Sequence, residues 1–171
     1  MYIKSLIYED QSTDWKLELI EFKPLTLLVG VSGVGKTQIL KALLNLKRIS
    51  RGSSLNGLKW NIEFKSSTGL DYKWCGAFEN KGFISEIISE FVDDEEDEKN
   101  KPHIDNEQLF IDGNLIVDRN RDGIIFNDSK TVKLSQQESV ISLLKEEEQI
   151  KGNQTKEGNY ITHLIFSTNY L

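Results

Sequence analysis

A glycine-rich segment at residues 30–37 constrains the fold of this chain more than any other feature. It reads Gly-Val-Ser-Gly-Val-Gly-Lys-Thr and fits the pattern G-x-x-x-x-G-K-[ST] at every fixed position. A nearly continuous apolar run at residues 25–29 precedes it, and apolar residues at helical spacing follow from Lys36. The pattern predicts a phosphate-binding loop between a strand buried on both faces of a sheet and a helix.

Each part of this loop has a physical role. Glycines adopt backbone angles closed to other residues, so successive N–H groups can surround an anion. Lys36, the expected catalytic residue, brings positive charge to the β- and γ-phosphates, and Thr37 offers a hydroxyl to Mg²⁺. The helix that starts here adds the positive end of its dipole. The predicted ligand is ATP with Mg²⁺. The residues expected to contact it are Gly30, Ser32, Gly33, Val34, Gly35, Lys36, Thr37 and Gln38.

Composition and charge favour one folded domain. Six consecutive acids at residues 93–98 account for the net charge of -6, because the other 21 acids equal the 21 Lys and Arg residues. Such a run repels itself and stays solvated, so we expect an acidic insertion near residues 93–107.

Cys75 is the only cysteine and cannot form an internal disulfide. The chain shows no membrane-span or signal-peptide pattern, which predicts a cytoplasmic protein without membrane contact.

Alternation of apolar and polar residues predicts antiparallel strands on both sides of the loop. The strands are expected at residues 2–8, 15–22, 58–64, 70–78, 108–111, 114–117 and 123–126. Asp112-Gly113 and Asp122-Gly123 are dipeptides that favour tight hairpin turns. Residues 83–92 fit a short helix or a strand. A helix is expected over residues 135–150.

The two strands, the loop and the helix together resemble a known family. Residues 24–30, Pro-Leu-Thr-Leu-Leu-Val-Gly, and residues 38–43, Gln-Ile-Leu-Lys-Ala-Leu, are similar to the N-terminal lobe of ABC-like ATPases related to SMC and OLD-type proteins. Within that group the chain resembles the AAA-labelled ATPases of bacterial anti-phage systems, including Septu and retron-associated ones. It departs at Val31, Ser32 and Val34, where many members carry Pro, Asn and Ser.

This resemblance implies an α/β fold, a P-loop NTPase with an ABC-ATPase-like head and an N-terminal antiparallel β meander packed around the P-loop helix. Residues 1–171 would be the N-terminal part of that head. Because such heads hydrolyse ATP in pairs, the resemblance implies a homodimer or higher oligomer. It also implies a regulatory or mechanical step in nucleic-acid processing or anti-phage defence, with a nuclease, another effector protein or nucleic acid as partner.

The Walker B acid of such ATPases is not evident in this chain. Asp118 follows the apolar residues 115–117, but Arg119 occupies the position of the catalytic Glu. The flanking Gly113 and Gly123 favour a hairpin, so an ordinary hairpin aspartate is the preferred interpretation. His163 precedes an apolar strand, whereas a switch histidine follows one, and a half-buried structural histidine is favoured there.

The signature segment is also incomplete. Residues 134–138, Leu-Ser-Gln-Gln-Glu, lack the glycine that lets the backbone approach a γ-phosphate. Ser135 and Glu138 instead fit a capping box at a helix start. The alternative is a Q-loop-like role, in which Gln136 or Gln137 lies near the magnesium. Gln136 is the candidate metal ligand beside Thr37.

Two other functions stay open. A small P-loop kinase fits the loop, but such kinases usually begin at the P-loop strand and need arginine-rich lids. A nonhydrolysing nucleotide-binding or assembly module needs only the loop, because bound ATP would stabilise it by mass action. Hydrolysis needs a metal held from a second side and a positioned water. We therefore expect the chain alone to bind nucleotide better than it hydrolyses it.

Overall fold

Alternating side chains build one antiparallel sheet in this protein. The computed structural model describes residues 2–33, 35–82, 100–127, 129–131 and 135–142. Its elements are β1 (Tyr2–Asp10), β2 (Trp15–Glu21), α1 (Lys36–Ile49), β3 (Leu58–Lys65), β4 (Asp71–Phe78), β5 (Ile104–Ile111), β6 (Asn114–Asn120), β7 (Gly123–Phe126) and β8 (Ser129–Thr131). A further helical turn begins at Val140.

The sheet has eight strands in the order β2-β1-β3-β4-β5-β6-β7-β8, and every neighbouring pair is antiparallel. From β3 onward the strands follow the chain as a meander. The turn between β5 and β6 places Asp112 and Gly113 at φ 47° and 79°, the positive angles that a tight hairpin needs. The hairpins predicted from alternation and from this turn dipeptide are therefore confirmed.

The core lies between one face of the sheet and α1. The helix crosses β1 on its way from β2 to β3 and buries Ala42, Leu46 and Ile49. Asn45 also reaches the sheet, where its Nδ2 donates a hydrogen bond to Tyr8 Oη at 2.9 Å. Burial raises the pKa of Tyr8 to about 12. The helix is thus fixed to the sheet both by apolar packing and by a specific polar contact.

An aromatic cluster from β3 and β4 forms the centre of this core. Trp60 lies edge-on to Trp74, with ring centroids 5.2 Å apart, and 5.6 Å from Phe78. Gly76 makes room for it, because a Cβ built there would lie 2.6 Å from a Trp60 ring carbon and 2.8 Å from the Asn106 carbonyl. Backbone on one side and a packed ring on the other fix this position as glycine.

The expected α/β P-loop fold is wrong for this chain. Such a fold needs a central parallel sheet, whereas all strand pairs among the described residues are antiparallel. Residues 25–29 form no strand, and Leu25, Leu27 and Val29 are 90%, 81% and 77% exposed. An apolar run shows that residues suit burial, but a buried strand also needs neighbouring strands on both sides. The eight strands pair with one another, and none of them pairs with this run.

Two other expectations change. β5 begins at Ile104 and so takes the end of the predicted acidic insertion into the sheet. Residues 135–139 are not helical, so the expected helix start and capping box at Ser135 and Glu138 are wrong. The acidic run itself, residues 83–92, residues 143–150 and His163 lie outside the described residues, as does Leu134 of the incomplete signature.

Candidate phosphate-binding loop

The chain leaves the sheet after β2 and reaches α1 through an open loop. Phe22 N still donates to Lys4 O at 2.8 Å, and Thr26 Oγ1 then accepts from Lys23 N at 2.9 Å. Beyond this turn the chain is exposed as far as Gly33, apart from the half-buried Leu28. The loop is therefore positioned by its two ends, the edge of the sheet and the first turn of α1.

Two glycines of the loop have left-handed backbone angles. Gly33 has φ 86° and Gly35 has φ 90°, a region that other residues adopt only with strain. No atom of a non-adjacent residue lies within 4 Å of a Cβ built on either of them. Packing therefore does not explain these glycines. The backbone angles require them, and the space beside them is open to a ligand.

The Lys36 side chain folds back over the loop. Its Nζ donates to the carbonyl oxygens of Gly30 at 2.6 Å and Val31 at 2.7 Å. These are short, charge-assisted contacts that hold the ammonium above the loop backbone. The lysine that the sequence singled out is thus placed on the same loop as the glycines.

The start of α1 carries no compensating negative charge. Gly35 is its N-cap and makes no side-chain cap hydrogen bond, and the first turn contains no acidic residue. At the other end, Lys47 and Arg48 lie in the last turn, where basic residues oppose the negative end of the helix dipole. The positive end at Lys36 and Thr37 therefore lacks a counterpart within the helix.

Most of the predicted contact residues are exposed. Gly30, Ser32, Gly33, Thr37 and Gln38 are all exposed at the loop or at the helix start. The backbone N–H groups of Gln38 and Ile39 donate to Gly35 O, at 3.0 and 3.2 Å, and so begin the helix. Val34 lies outside the described residues.

Gln136, the second candidate metal ligand, is not brought to this loop. Its segment contacts the opposite end of α1, since a Cβ built on Gly52 would lie 3.7 Å from Glu138 Cδ and 3.8 Å from Ser142 Cβ. A helix of 14 residues is about 21 Å long. Thr37 and Gln136 are therefore at opposite ends of α1. No group of three His, Cys, Asp or Glu side chains in the described ranges could hold a metal.

A buried ion pair, not a capping box, holds the segment of residues 135–142 on the sheet. Glu107 of β5 and Arg119 of β6 are only 1% and 3% exposed, and Arg119 Nη1 lies 3.8 Å from Glu107 Oε2. The Arg119 guanidinium donates to the carbonyls of Ser135 and Glu138, both at 2.6 Å. A guanidinium buried with three acceptors around it fixes the course of this polar segment.

Glu107 caps the helical turn that begins at Val140. Its carboxylate accepts from Val140 N at 2.9 Å, from Trp74 Nε1 at 2.9 Å and from the Ser139 hydroxyl. Burial raises the pKa of the Glu107 carboxyl, while the bonds from Ser139, Val140 and Trp74 and the charge of Arg119 act in the opposite direction. The cap therefore comes from a distant strand and not from the sequence beside the turn.

A β-bulge brings this pair together, which is why the sequence alone did not reveal it. From the β5–β6 turn the register runs Ile111 with Asn114 and Phe110 with Leu115, and then shifts so that Glu107 lies opposite Arg119. Without the shift, Asp118 would face Glu107 and two acids would be paired. One feature of the sequence does indicate a buried charge here: Arg119 comes two residues after Val117 and so lies on the core face of an alternating strand.

Two remaining sequence candidates have structural roles. Asp118 accepts a hydrogen bond from Gln108 Nε2 at 3.0 Å across the β5–β6 hairpin, so the structure places it as the hairpin aspartate that the sequence favoured. Cys75 is half-buried in β4, and burial raises the pKa of its thiol. A raised pKa keeps the thiol protonated at neutral pH and thus weakly nucleophilic.

No protein-family model, curated protein or solved structure matches this chain. The function of the loop therefore rests on its own geometry. In the part of the chain that the structure describes, no helix is long and apolar enough to span a membrane.

Proposed function

We propose that the loop of residues 30–38 binds the phosphates of ATP together with Mg²⁺. The supporting observation is the combination of two left-handed glycines beside open space, a lysine ammonium over the loop and an uncapped helix start. Each of these features alone is common in proteins. Together they occur in the order of the P-loop motif, but without the preceding strand, since residues 25–29 form none.

The present hydrogen bonds of Lys36 support a change of its acceptors when ATP binds. Its ammonium now contacts two carbonyl oxygens, which carry only partial negative charge. Phosphate oxygens carry full charges and make stronger bonds to an ammonium. A bound triphosphate would therefore draw Nζ from Gly30 and Val31 to its β- and γ-phosphates, while backbone amides of the loop would surround the β-phosphate.

Thr37 is the proposed protein ligand of the magnesium. A Mg²⁺ ion in such sites keeps several waters and binds the substrate phosphates, so one hydroxyl is a sufficient contribution from the loop. Hydrolysis needs further groups that position a water and hold the metal from a second side. We propose that ATPase activity requires residues outside the described ranges or a partner chain, and that binding alone is the property of this loop.

Isothermal titration calorimetry with Mg-ATP tests the proposal. The unmodified chain is expected to bind, and Lys36→Ala to weaken binding at least tenfold, because the ammonium is lost from the phosphate site. Lys41→Ala is the matched control, since Lys41 lies exposed on the same helix outside the loop. Thr37→Ala should reduce the affinity gained on adding Mg²⁺ and leave metal-free binding nearly unchanged.

Parallel titrations with Mg-GTP and with magnesium pyrophosphate show which part of the ligand is recognised. Equal affinities for Mg-ATP and Mg-GTP would agree with phosphate recognition but contradict ATP preference. The proposal fails if the unmodified chain binds none of the three at millimolar concentration, or if Lys36→Ala and Lys41→Ala behave alike.

A further inference from the structure

A cavity lies at the end of the sheet where β5 begins and where β6 turns into β7. Its volume is about 340 Å³, at the lower end of the range of small-molecule sites. Ile104 and Ile124, 2% and 6% exposed, contribute apolar surface, and Arg119 also lines the cavity. A space of this volume accommodates one small ligand.

The walls of this cavity are held in place without a ligand. Asn120 Oδ1 accepts from the backbone N–H groups of Asp122 at 2.8 Å and Gly123 at 3.2 Å and so closes the β6–β7 turn. On the opposite wall, Gln136 O accepts from Ile104 N at 2.8 Å. The backbone of the β6–β7 turn and of Gln136 is therefore held in place before a ligand binds, and a ligand would lose affinity mainly to ordering of the Gln136 side chain.

Most charges around the cavity are already paired. The pairs are Arg121 Nε with Asp105 Oδ1 at 2.8 Å, Arg119 with Glu107 at 3.8 Å, and Lys81 with Glu79 at 3.3 Å. Asp122 adds an exposed carboxylate at the turn. An anionic ligand would meet this carboxylate and no unengaged arginine, so the electrostatics favour an uncharged ligand.

The polar groups left on the walls are carboxamides and an imidazole. Gln136 and Asn120 are exposed lining residues, and the Gln136 carboxamide, Asn120 Nδ2 and the His103 ring make no hydrogen bond to any residue that the structure describes. His103 Nδ1 lies 3.8 Å from Glu79 Oε1. Carboxamides of Asn and Gln pair bidentately with the edge of adenine. Imidazole rings and guanidinium planes stack on nucleobases.

We propose that this cavity is a binding site for an uncharged purine base, supplied as a free nucleoside. Gln136 and Asn120 would read the edge of the base, and the His103 ring would pack against its face. The paired arginines leave no cation for a phosphate group, so a nucleoside should bind better than the corresponding nucleotide.

This site is separate from the phosphate-binding loop. The segment that follows α1 lies beside the cavity. Its Gly57 N donates to the carbonyl oxygen of Glu79, a lining residue, at 3.0 Å, and its Ser54 hydroxyl donates to Pro102 O, next to the lining residue His103. The loop lies at the other end of α1, a helix of 14 residues that is about 21 Å long. A nucleotide held by its phosphates at Lys36 does not place its base in the cavity.

Titration of adenosine into the ¹⁵N-labelled chain, followed by NMR, tests this inference. We expect amide shifts at His103, Ile104, Gly123 and Gln136. Gln136→Ala should weaken adenosine binding about tenfold, in line with the loss of one bidentate base contact. Asn114→Ala is the matched control, because it removes an exposed carboxamide at the opposite end of β6.

Two further titrations separate the ligand sources and the two sites. AMP and a short oligoadenylate should bind more weakly than adenosine, and tighter binding of either would overturn the choice of an uncharged ligand. Lys36→Ala should bind adenosine as the unmodified chain does, so failure at the phosphate loop leaves this result intact. The inference is rejected if millimolar adenosine shifts none of the four amides, or if Asn114→Ala weakens binding as much as Gln136→Ala.

Discussion

The antiparallel sheet and the loop before α1 are opposite kinds of structure within one short chain. The sheet buries large side chains completely, with Phe64 and Trp74 at 0% exposure, whereas the apolar residues of the loop are mostly in solvent. Stability therefore resides in the sheet and in the inner face of α1. The loop contributes little to stability, which agrees with the binding role that we propose for its glycines and lysine.

The largest expected effect sharpens this contrast between core and loop. Phe64→Ala removes a ring that stacks on Tyr72, with centroids 5.0 Å apart, and leaves a cavity in the core. We expect the free energy of unfolding to fall by about 4 kcal/mol. Leu27→Ala, at an exposed loop position, should change it by less than about 0.5 kcal/mol. Urea unfolding followed by tryptophan fluorescence measures both, and similar losses in the two variants would contradict the contrast.

A somewhat smaller effect is expected at the buried ion pair. Arg119→Met leaves the Glu107 carboxylate buried without its positive partner and frees the carbonyls of Ser135 and Glu138. The free energy of unfolding should fall by about 3 kcal/mol. Hydrogen exchange at Val140 N should become faster, because its acceptor is then less firmly held. A double variant, Arg119→Met with Glu107→Gln, should recover part of the stability, because the carboxamide is uncharged and its oxygen still accepts a hydrogen bond from the groups that contact Glu107. No recovery would argue against the buried charge as the cause.

The smallest effect concerns the contact between α1 and the sheet. Burial raises the pKa of Tyr8 to about 12 in the folded state, above its ordinary value of about 10. The protonated phenol is thus favoured by folding. This contribution is fully present below about pH 10 and is lost as the pH rises towards 12. The decline is at most about 1.4 kcal/mol per pH unit, and Tyr8→Phe should make it less steep. Equal pH slopes for both proteins would show that Tyr8 does not titrate in this way.

The sequence predicted the hairpins because their determinants are local. Alternation fixes which side chains face the core, and Asp112 and Gly113 fix the turn between β5 and β6. The same reasoning failed for residues 25–29, where the apolar pattern carries no information about neighbouring strands. It also failed at Ser135 and Glu138, since the cap of the helical turn at Val140 comes from Glu107, about 30 residues away in the chain.

The candidate loop was predictable for a related reason. Its glycines, Lys36 and Thr37 lie within eight consecutive residues, so no tertiary contact was needed to recognise them. The proposed purine cavity was not predictable, because His103, Asn120 and Gln136 meet only through the sheet register and the docked segment. Sites assembled across strands depend on bulges and buried pairs that the linear pattern does not display.

The most direct test of phosphate binding at the loop is a residue-by-residue titration. Mg-ATP is added to the ¹⁵N-labelled chain, and the amide signals of the loop and of the sheet are compared. We expect large shifts at Gly33, Gly35, Lys36 and Thr37 and small ones in β3 to β7. Unchanged loop signals at millimolar Mg-ATP, or shifts confined to the sheet, would contradict this assignment.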